Sequence, residues 1–168
     1  MKYKIGKYSK VYGKIDGTRQ DWVTIGERVI IGSETMILTH GPIRPFKKNP
    51  RIIIEDLTWV GFRSIILPGV KIERCSIIGA GSVITKDVLA YSIYAGNPAR
   101  FIRYRDVKEI LRSFIIRWLM GKRLGYVGKV DWSLLTLDHI KYIFPDGRYD
   151  GRSLDNIINY GMVNKEND

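Results

Sequence analysis

Residues 54–85 read IEDLTWVGFRSIILPGVKIERCSIIGAGSVIT. An aliphatic side chain recurs in this stretch at every sixth position, namely at Ile54, Val60, Ile66, Ile72, Ile78 and Ile84. A helix would place apolar residues at three- and four-residue steps, and a half-buried strand would alternate every two residues. A period of six predicts a parallel β-helix, in which each coil has three short strands and each strand sends one aliphatic side chain into a narrow interior.

The repeat extends toward the N-terminus and contains one interruption. The same six-residue step links Ile5 to Val11, and it also links Ile25, Ile31 and Ile37. The next aliphatic is then due near position 43, but the series restarts only at Ile54. We therefore expect the segment near 43–53, which is rich in proline and basic residues, to be a loop excluded from the coil.

Small residues fall four positions after several of the repeat aliphatics. A small side chain fits the inside corner where two faces of the prism meet. The residues at this position are Thr58, Ser64, Ser76 and Ser82.

Composition limits the class of protein. The 168 residues carry a formal net charge of +11, and the excess lies mainly in residues 1–104. No helix-turn-helix, zinc knuckle or RNP-like strand accompanies this charge, so an anionic small ligand or an anionic membrane is favoured over nucleic acid. The single cysteine, Cys75, is expected to be a small buried residue. With no long apolar segment and no signal-like N-terminus, we expect the protein to be cytoplasmic, or peripheral at the inner membrane face.

Three motifs within residues 20–104 resemble the hexapeptide-repeat acyltransferases, and in particular the galactoside, maltose and xenobiotic acetyltransferases. The motifs are WVG at 59–61, GAGSVITKDV at 79–88 and GNPAR at 96–100. The resemblance implies a left-handed parallel β-helix, a homotrimer, and transfer of an acetyl group from acetyl-CoA to a hydroxyl or amine. The left hand rests on the resemblance alone, because crossovers between parallel strands are usually right-handed.

His40 is the candidate catalytic residue. It ends the sequence ILTH and directly precedes the predicted loop, which is the position of the family's general base. An acceptor hydroxyl attacks a thioester poorly unless its proton is removed, and imidazole can take a proton at cellular pH.

Four further positions are matched to the thioester and pantetheine region. Trp59 either lines the acceptor region or simply covers a coil edge. Gly61 precedes Phe62, whose backbone N–H corresponds to one directed at the thioester carbonyl, and Ala80 corresponds to main-chain contacts with pantetheine.

The nucleotide end of the donor is matched to four polar residues. The 3′-phosphate and pyrophosphate of CoA are anionic, so lysine and arginine suit them. The resemblance assigns Thr85, Lys86, Arg100 and Arg103 to this region, although a solvated side chain is the other interpretation of Arg103.

The acceptor is the least determined part of the site. Asp16 and Asp21 are the nearest acidic candidates for binding a sugar hydroxyl or an amine. We predict an acetyl-CoA-dependent O-acetyltransferase that acts on a sugar in surface-polysaccharide biosynthesis. The alternatives are an N-acetyltransferase of an amino-sugar nucleotide, a xenobiotic acetyltransferase, or an inactive repeat scaffold.

Two histidines cannot build the three-histidine zinc site of a γ-type carbonic anhydrase, so no metal is expected.

Residues 105–168 are predicted to be a helical extension. The segment 106–120 has apolar residues at helical spacing and a basic remainder. We expect its apolar face to pack on protein; the alternative is a peripheral membrane contact through 106–120, anchored by Phe114 and Trp118. Further helices are expected near Leu134–Phe144, where His139 should have a packing role, and near Leu154–Tyr160.

Overall fold

The computed structural model describes residues 3–17, 19–41, 50–122, 129–149 and 152–153. The chain divides into two compact units, Met1–Tyr104 and Arg105–Asp168. The first unit contains three parallel sheets, and the second contains short helices.

The first unit is a parallel β-helix of four coils, each made of three short strands. The first coil has β1 (Lys4–Ile5), β2 (Lys10–Val11) and β3 (Lys14–Ile15), and the second has β4 (Val23–Ile25), β5 (Ile30–Ile31) and β6 (Met36–Ile37). The third has β7 (Ile52–Ile54), β8 (Trp59–Val60) and β9 (Ile65–Ile66), and the fourth has β10 (Lys71–Ile72), β11 (Ile77–Ile78) and β12 (Val83–Ile84). A hairpin of β13 (Ser92–Gly96) and β14 (Ala99–Tyr104) follows.

Strands at the same place in successive coils pair in parallel and form three faces. Sheet 1 has the order β1-β4-β7-β10, and sheet 3 has the order β3-β6-β9-β12. Sheet 2 has the order β2-β5-β8-β11-β13, and β14 joins β13 as an antiparallel strand. The protein is therefore mainly β with parallel sheets, as the six-residue period predicts.

The repeat aliphatics form the core. Ile25, Ile31 and Ile37 lie in register with Ile54, Val60 and Ile66 of the next coil. These residues and their counterparts Ile72, Ile78 and Ile84 are at most 2% exposed. Burial of each side chain stabilises the fold by about 1.5–3 kcal/mol relative to an exposed one, so the stacked aliphatics hold the coils together.

The corner positions are occupied by small polar residues, as predicted. Thr58, Ser64, Ser76 and Ser82 are at most 1% exposed. The Ser76 hydroxyl donates to the Glu73 carbonyl at 2.6 Å, and the Ser82 hydroxyl donates to the Gly79 carbonyl at 2.7 Å. A buried hydroxyl without a partner would be costly, so these bonds explain how a polar residue can occupy the interior corner.

The interruption of the repeat lies between the second and third coils. β6 ends at Ile37 and β7 begins at Ile52, and residues 42–49 of the predicted loop lie outside the described part of the chain. The predicted end of the loop at position 53 is wrong, because Ile52 and Ile53 are strand residues that pair with β4. An aliphatic pair directly before the core residue Ile54 is strand sequence and not loop sequence.

The second unit begins with the predicted amphipathic helix, whose last part is a π-helix. The α-helix α1 spans Val107–Phe114, with the Asp106 side chain capping its N-terminus, and a π-helix covers Ile115–Leu119. The apolar face of α1 is buried, so the packing interpretation is correct. Phe114 is 3% exposed and its ring lies near His139, so its assignment as a membrane anchor is wrong. None of the described helices has the length and apolar character needed to span a membrane.

The remainder of the second unit contains α2 and a short hairpin. α2 spans Leu137–Ile143, within the predicted range, and His139 makes a capping contact with Thr136 in addition to its ring contact with Phe114. His139 therefore has the packing role expected of it. Strands β15 (Arg148–Tyr149) and β16 (Arg152–Ser153) pair with each other, and the helix predicted near Leu154–Tyr160 lies outside the described residues.

Candidate active site

His40 lies at the edge of the β-helix where the chain leaves sheet 3. β3 and β6 are neighbours in this sheet, with Ile15 opposite Ile37. The segments that follow these two strands therefore leave the sheet side by side, and they bring Asp16 next to Thr39 and His40. We call this the His40 edge.

Asp16 connects the two segments with three contacts. Its carboxylate accepts hydrogen bonds from the backbone N–H and the hydroxyl of Thr39, and it lies 3.1 Å from Nδ1 of His40. The Asp16 side chain is 12% exposed and that of His40 is 60% exposed. The carboxylate is thus held within the protein surface, whereas the imidazole is accessible to a ligand.

The contact with Asp16 determines which nitrogen of His40 can act as a base. A carboxylate accepts hydrogen bonds and does not donate them, so this contact requires the proton of a neutral imidazole to be on Nδ1. Nε2 then carries the lone pair that can accept a proton. The arrangement can orient a general base and stabilise the imidazolium that forms when the base takes a proton.

Asp21, the other predicted acceptor residue, is paired differently. Its carboxylate receives two hydrogen bonds from the Arg19 guanidinium, each 3.2 Å long. This contact lowers the pKa of Asp21 and raises that of Arg19. Arg19 also donates its backbone N–H to the Thr39 hydroxyl at 3.0 Å, so the pair lies beside the His40 edge.

Gly61, Phe62 and Ala80 come together at a second edge, between sheets 2 and 3. A Cβ at Gly61 would lie 2.5 Å from the backbone nitrogen of Ala80, so the third and fourth coils touch there through their backbones. Among the described residues, none accepts a hydrogen bond from the backbone N–H of Phe62 or of Ala80. We call this the Phe62 edge, and its two backbone N–H groups are candidates for contact with a ligand.

The other predicted residues line the outer surface of the repeat. Trp59 lies on sheet 2 between Ile30 and Ile77 and is 37% exposed. The hairpin strand β14 carries Arg100 and Arg103, whose guanidinium groups donate to the Ala99 and Tyr104 carbonyls respectively.

Thr85 and Lys86 follow β12, which places them on the His40 edge two coils away from His40. Neighbouring strands are about 4.8 Å apart, so this separation is about 10 Å along the axis.

A single chain does not bring all the predicted residues together. His40 and Lys86 share one edge, whereas Phe62 and Ala80 share another, and sheet 3 lies between the two edges. In the described part of the chain, no three His, Cys, Asp or Glu side chains are grouped in a way that could hold a metal ion.

Comparison with known families identifies the repeat. The family model for bacterial transferase hexapeptide (six repeats) matches residues 51–86. These residues are a hexapeptide transferase repeat. The predicted resemblance to the hexapeptide-repeat acyltransferases is therefore confirmed, and the repeat includes the WVG motif and most of the GAGSVITKDV motif.

Several proteins that are similar to this chain are named acetyltransferases or acyltransferases. Chloramphenicol acetyltransferase of Klebsiella aerogenes is 32% identical over 129 residues, which is 77% of this chain and 54% of that protein. The chain spans about half the length of the curated relatives it matches.

Two solved structures share the fold. AntD, an N-acyltransferase from Bacillus cereus solved with dTDP-4-amino-4,6-dideoxyglucose and coenzyme A, is 26% identical with a TM-score of 0.54; the match covers 62% of this chain and 64% of AntD. The polySia-specific acetyltransferase NeuO is 31% identical with a TM-score of 0.51, covering 60% of this chain and 50% of NeuO.

Proposed function

We propose that this protein is an acetyl-CoA-dependent acetyltransferase that acetylates a sugar hydroxyl, with His40 as its general base. The observation that carries the proposal is the contact between Asp16 and Nδ1 of His40, on the edge that also carries Lys86. The acetyltransferase and acyltransferase names of the relatives support the same activity.

The reaction follows from the orientation of His40. Nε2 accepts the proton of the acceptor hydroxyl as the oxygen attacks the thioester carbonyl, and the carbon–sulfur bond then breaks. The imidazolium returns the proton to the departing thiolate, so the products are the acetyl ester and free CoA. Asp16 is the positioning residue, because it holds the proton of the neutral ring on Nδ1 and stabilises the positive charge. General base assistance of this kind contributes about 10² to 10⁴ in rate.

The donor is proposed to lie along the Phe62 edge and the C-terminal coils. The backbone N–H of Phe62 suits the oxygen of the thioester carbonyl, on which negative charge develops during attack. The N–H of Ala80 suits a pantetheine amide. Lys86 and Arg100 are exposed cations that suit the phosphates of CoA.

We further propose that the active site is completed by a second copy of the chain in a homotrimer. The base and the Phe62 edge lie on opposite sides of sheet 3, so one copy cannot present both to the same thioester. A cyclic arrangement that places the His40 edge of one copy against the Phe62 edge of the next would join them three times. We also propose that the β-helix is left-handed, as the resemblance to the hexapeptide-repeat acyltransferases implies.

The acceptor is proposed to be a sugar of a surface polysaccharide. NeuO is specific for polySia, and AntD was solved with an amino-sugar nucleotide, so both relatives support a carbohydrate acceptor. N-acetylation of an amino-sugar nucleotide is the second candidate, and AntD favours it. The two reactions differ only in the attacking atom, and a histidine base serves both.

Calorimetric titration of CoA and acetyl-CoA into the wild-type protein tests the donor half of the proposal. Lys86→Ala is the test variant, and Lys129→Ala, which removes an exposed lysine from the second unit, is the matched control. Micromolar binding that weakens in Lys86→Ala but not in Lys129→Ala is the expected result. Absence of CoA binding at millimolar concentration would refute the proposal and indicate a repeat scaffold without this chemistry.

A further inference from the structure

The first coil carries a ring of exposed lysines. Lys4 is in β1 of sheet 1, Lys10 is in β2 of sheet 2 and Lys14 is in β3 of sheet 3, while Lys7 is in the turn between β1 and β2. These strands are the end strands of their sheets. The four lysines, which we call the lysine collar, therefore surround the axis of the β-helix at one end.

The charge of the collar is not neutralised locally. Within the described part of the chain, none of the four lysines makes an ion pair. Asp16, the acid of the first coil, contacts His40, while Glu27 and Glu34 of the second coil pair with arginines. The collar thus keeps a charge of about +4 that attracts anionic surfaces.

The same end of the β-helix exposes large amphipathic and apolar side chains. Tyr8 is 65% exposed, Tyr12 is 60% exposed and Ile5 is 46% exposed. Tyrosine is favoured at membrane–water interfaces, where its ring meets the acyl boundary and its hydroxyl stays hydrated. Lysine, tyrosine and one exposed aliphatic residue are a combination that suits a lipid headgroup layer.

We propose that the lysine collar binds an anionic lipid surface, with the β-helix standing end-on. The arrangement of the charges favours this partner: three lie on the three faces and the fourth lies in a turn, so all four surround one end of the axis, where a flat surface can meet them. A nucleic-acid strand would instead require a stripe of charge along one face. The membrane contact is thereby assigned to the first coil and not to segment 106–120, where Val107, Ile110, Leu111 and Phe114 are buried.

Lysine on end strands has another use, because it discourages edge-to-edge pairing with other proteins. That role predicts no affinity for vesicles, and it would leave the collar indifferent to lipid charge. Vesicle binding therefore separates the two interpretations, and it does so whether or not the proposed acetyltransferase activity is found.

The test is co-sedimentation of the full chain with vesicles of phosphatidylcholine and phosphatidylserine, compared with phosphatidylcholine alone. Each lysine close to an anionic surface strengthens binding about fivefold, so replacing all four by glutamine should weaken partitioning by at least about 100-fold. Replacing all four by arginine should preserve it. Binding should also fall as salt is raised, since the interaction is electrostatic.

A second variant serves as a charge-matched control. This variant should retain binding to the vesicles. In it, glutamine replaces four lysines of the second unit, namely Lys108, Lys122, Lys129 and Lys141. No binding of the wild type to phosphatidylserine vesicles would overturn the proposal, as would equal loss in the control variant. Should the glutamine variant aggregate, the single Lys10→Gln and Lys14→Gln variants decide, with about fivefold loss expected for each and unchanged binding contradicting the proposal.

Discussion

Replacing Asp16 by asparagine isolates the electrostatic contribution of this residue to His40. The amide oxygen can take the place of the carboxylate oxygen that faces Thr39 N–H and His40 Nδ1, while the amide nitrogen donates to the Thr39 hydroxyl. The contacts of Thr39 N–H and His40 Nδ1 are kept and the negative charge is lost, while the Thr39 hydroxyl changes from donor to acceptor. Asp16→Ala is a poorer test, because it leaves the buried polar groups of Thr39 without their acceptor and costs about 1–3 kcal/mol of stability.

The distance between the two side chains sets the magnitude. With 3.1 Å between the carboxylate oxygen and Nδ1, the attraction between unit charges is about 1.3 kcal/mol at the permittivity of water and about 5 kcal/mol at an effective permittivity of 20. His40 is 60% exposed, which places the pair near the aqueous limit. Since about 1.4 kcal/mol corresponds to a factor of ten in rate, we expect kcat/KM to fall about 10- to 100-fold.

The assay compares acetyl transfer and acetyl-CoA affinity in the wild type, Asp16→Asn and Asp16→Glu. A positioning role predicts that turnover falls in Asp16→Asn while the acetyl-CoA Kd stays unchanged, and that Asp16→Glu recovers part of the activity. Unchanged turnover in Asp16→Asn would remove the residue from the mechanism. An equal loss of acetyl-CoA affinity and turnover would show a structural defect instead.

Three further substitutions test the fold. Gly61→Ala should destabilise the protein by about 1–3 kcal/mol, because the new Cβ would lie 2.5 Å from a backbone atom of Ala80. Ile66→Ala should cost about 2–5 kcal/mol, since the side chain is fully buried. The Glu55 carboxylate raises the pKa of Lys71 above its ordinary value of 10.5. The ion pair therefore stabilises the fold below pH 10.5, and this contribution is lost as the pH rises through the higher pKa of the folded state. Lys71→Gln should therefore cost less than about 1 kcal/mol near neutral pH, and the difference from the wild type should shrink in alkali.

Urea denaturation measures all three, with a matched control for the first two. Gly17→Ala introduces the same methyl group where no atom lies within 4 Å, and it should leave stability nearly unchanged. Ile65→Ala removes the same atoms from a residue that is 36% exposed, and it should cost less than Ile66→Ala. Equal effects within either pair would contradict the assigned positions, and a pH-independent effect of Lys71→Gln would contradict the ion-pair assignment.

The β-helix could be predicted from the sequence because its interior is so narrow. Each strand contributes one inward aliphatic side chain, so the fold imposes a strict step of six that is visible without any structure. The loop boundary was predicted less well. Ile52 and Ile53 directly precede Ile54, where the six-residue repeat restarts. The spacing of the repeat alone could not show that β7 begins before Ile54.

The pairing of Asp16 with His40 was not predicted, although both residues were candidates. They are 24 residues apart in the sequence, and only the stacking of coils brings them together. The signal that could have revealed the pair is the register of Ile15 with Ile37, which aligns the segments that follow them. The membrane alternative for Phe114 stayed open for a different reason: helical periodicity identifies an apolar face but does not say whether protein or lipid covers it.

Acetyl transfer with His40 as the base is tested most directly by measuring turnover of acetyl-CoA by the wild type and by His40→Ala. Release of the CoA thiol should be followed with nucleotide-linked and lipid-linked sugars as acceptors, beside acetyl-CoA titrations of both proteins. We expect sugar-dependent turnover that falls at least about 100-fold in His40→Ala while acetyl-CoA binding is retained. Equal turnover by the two proteins would contradict this expectation.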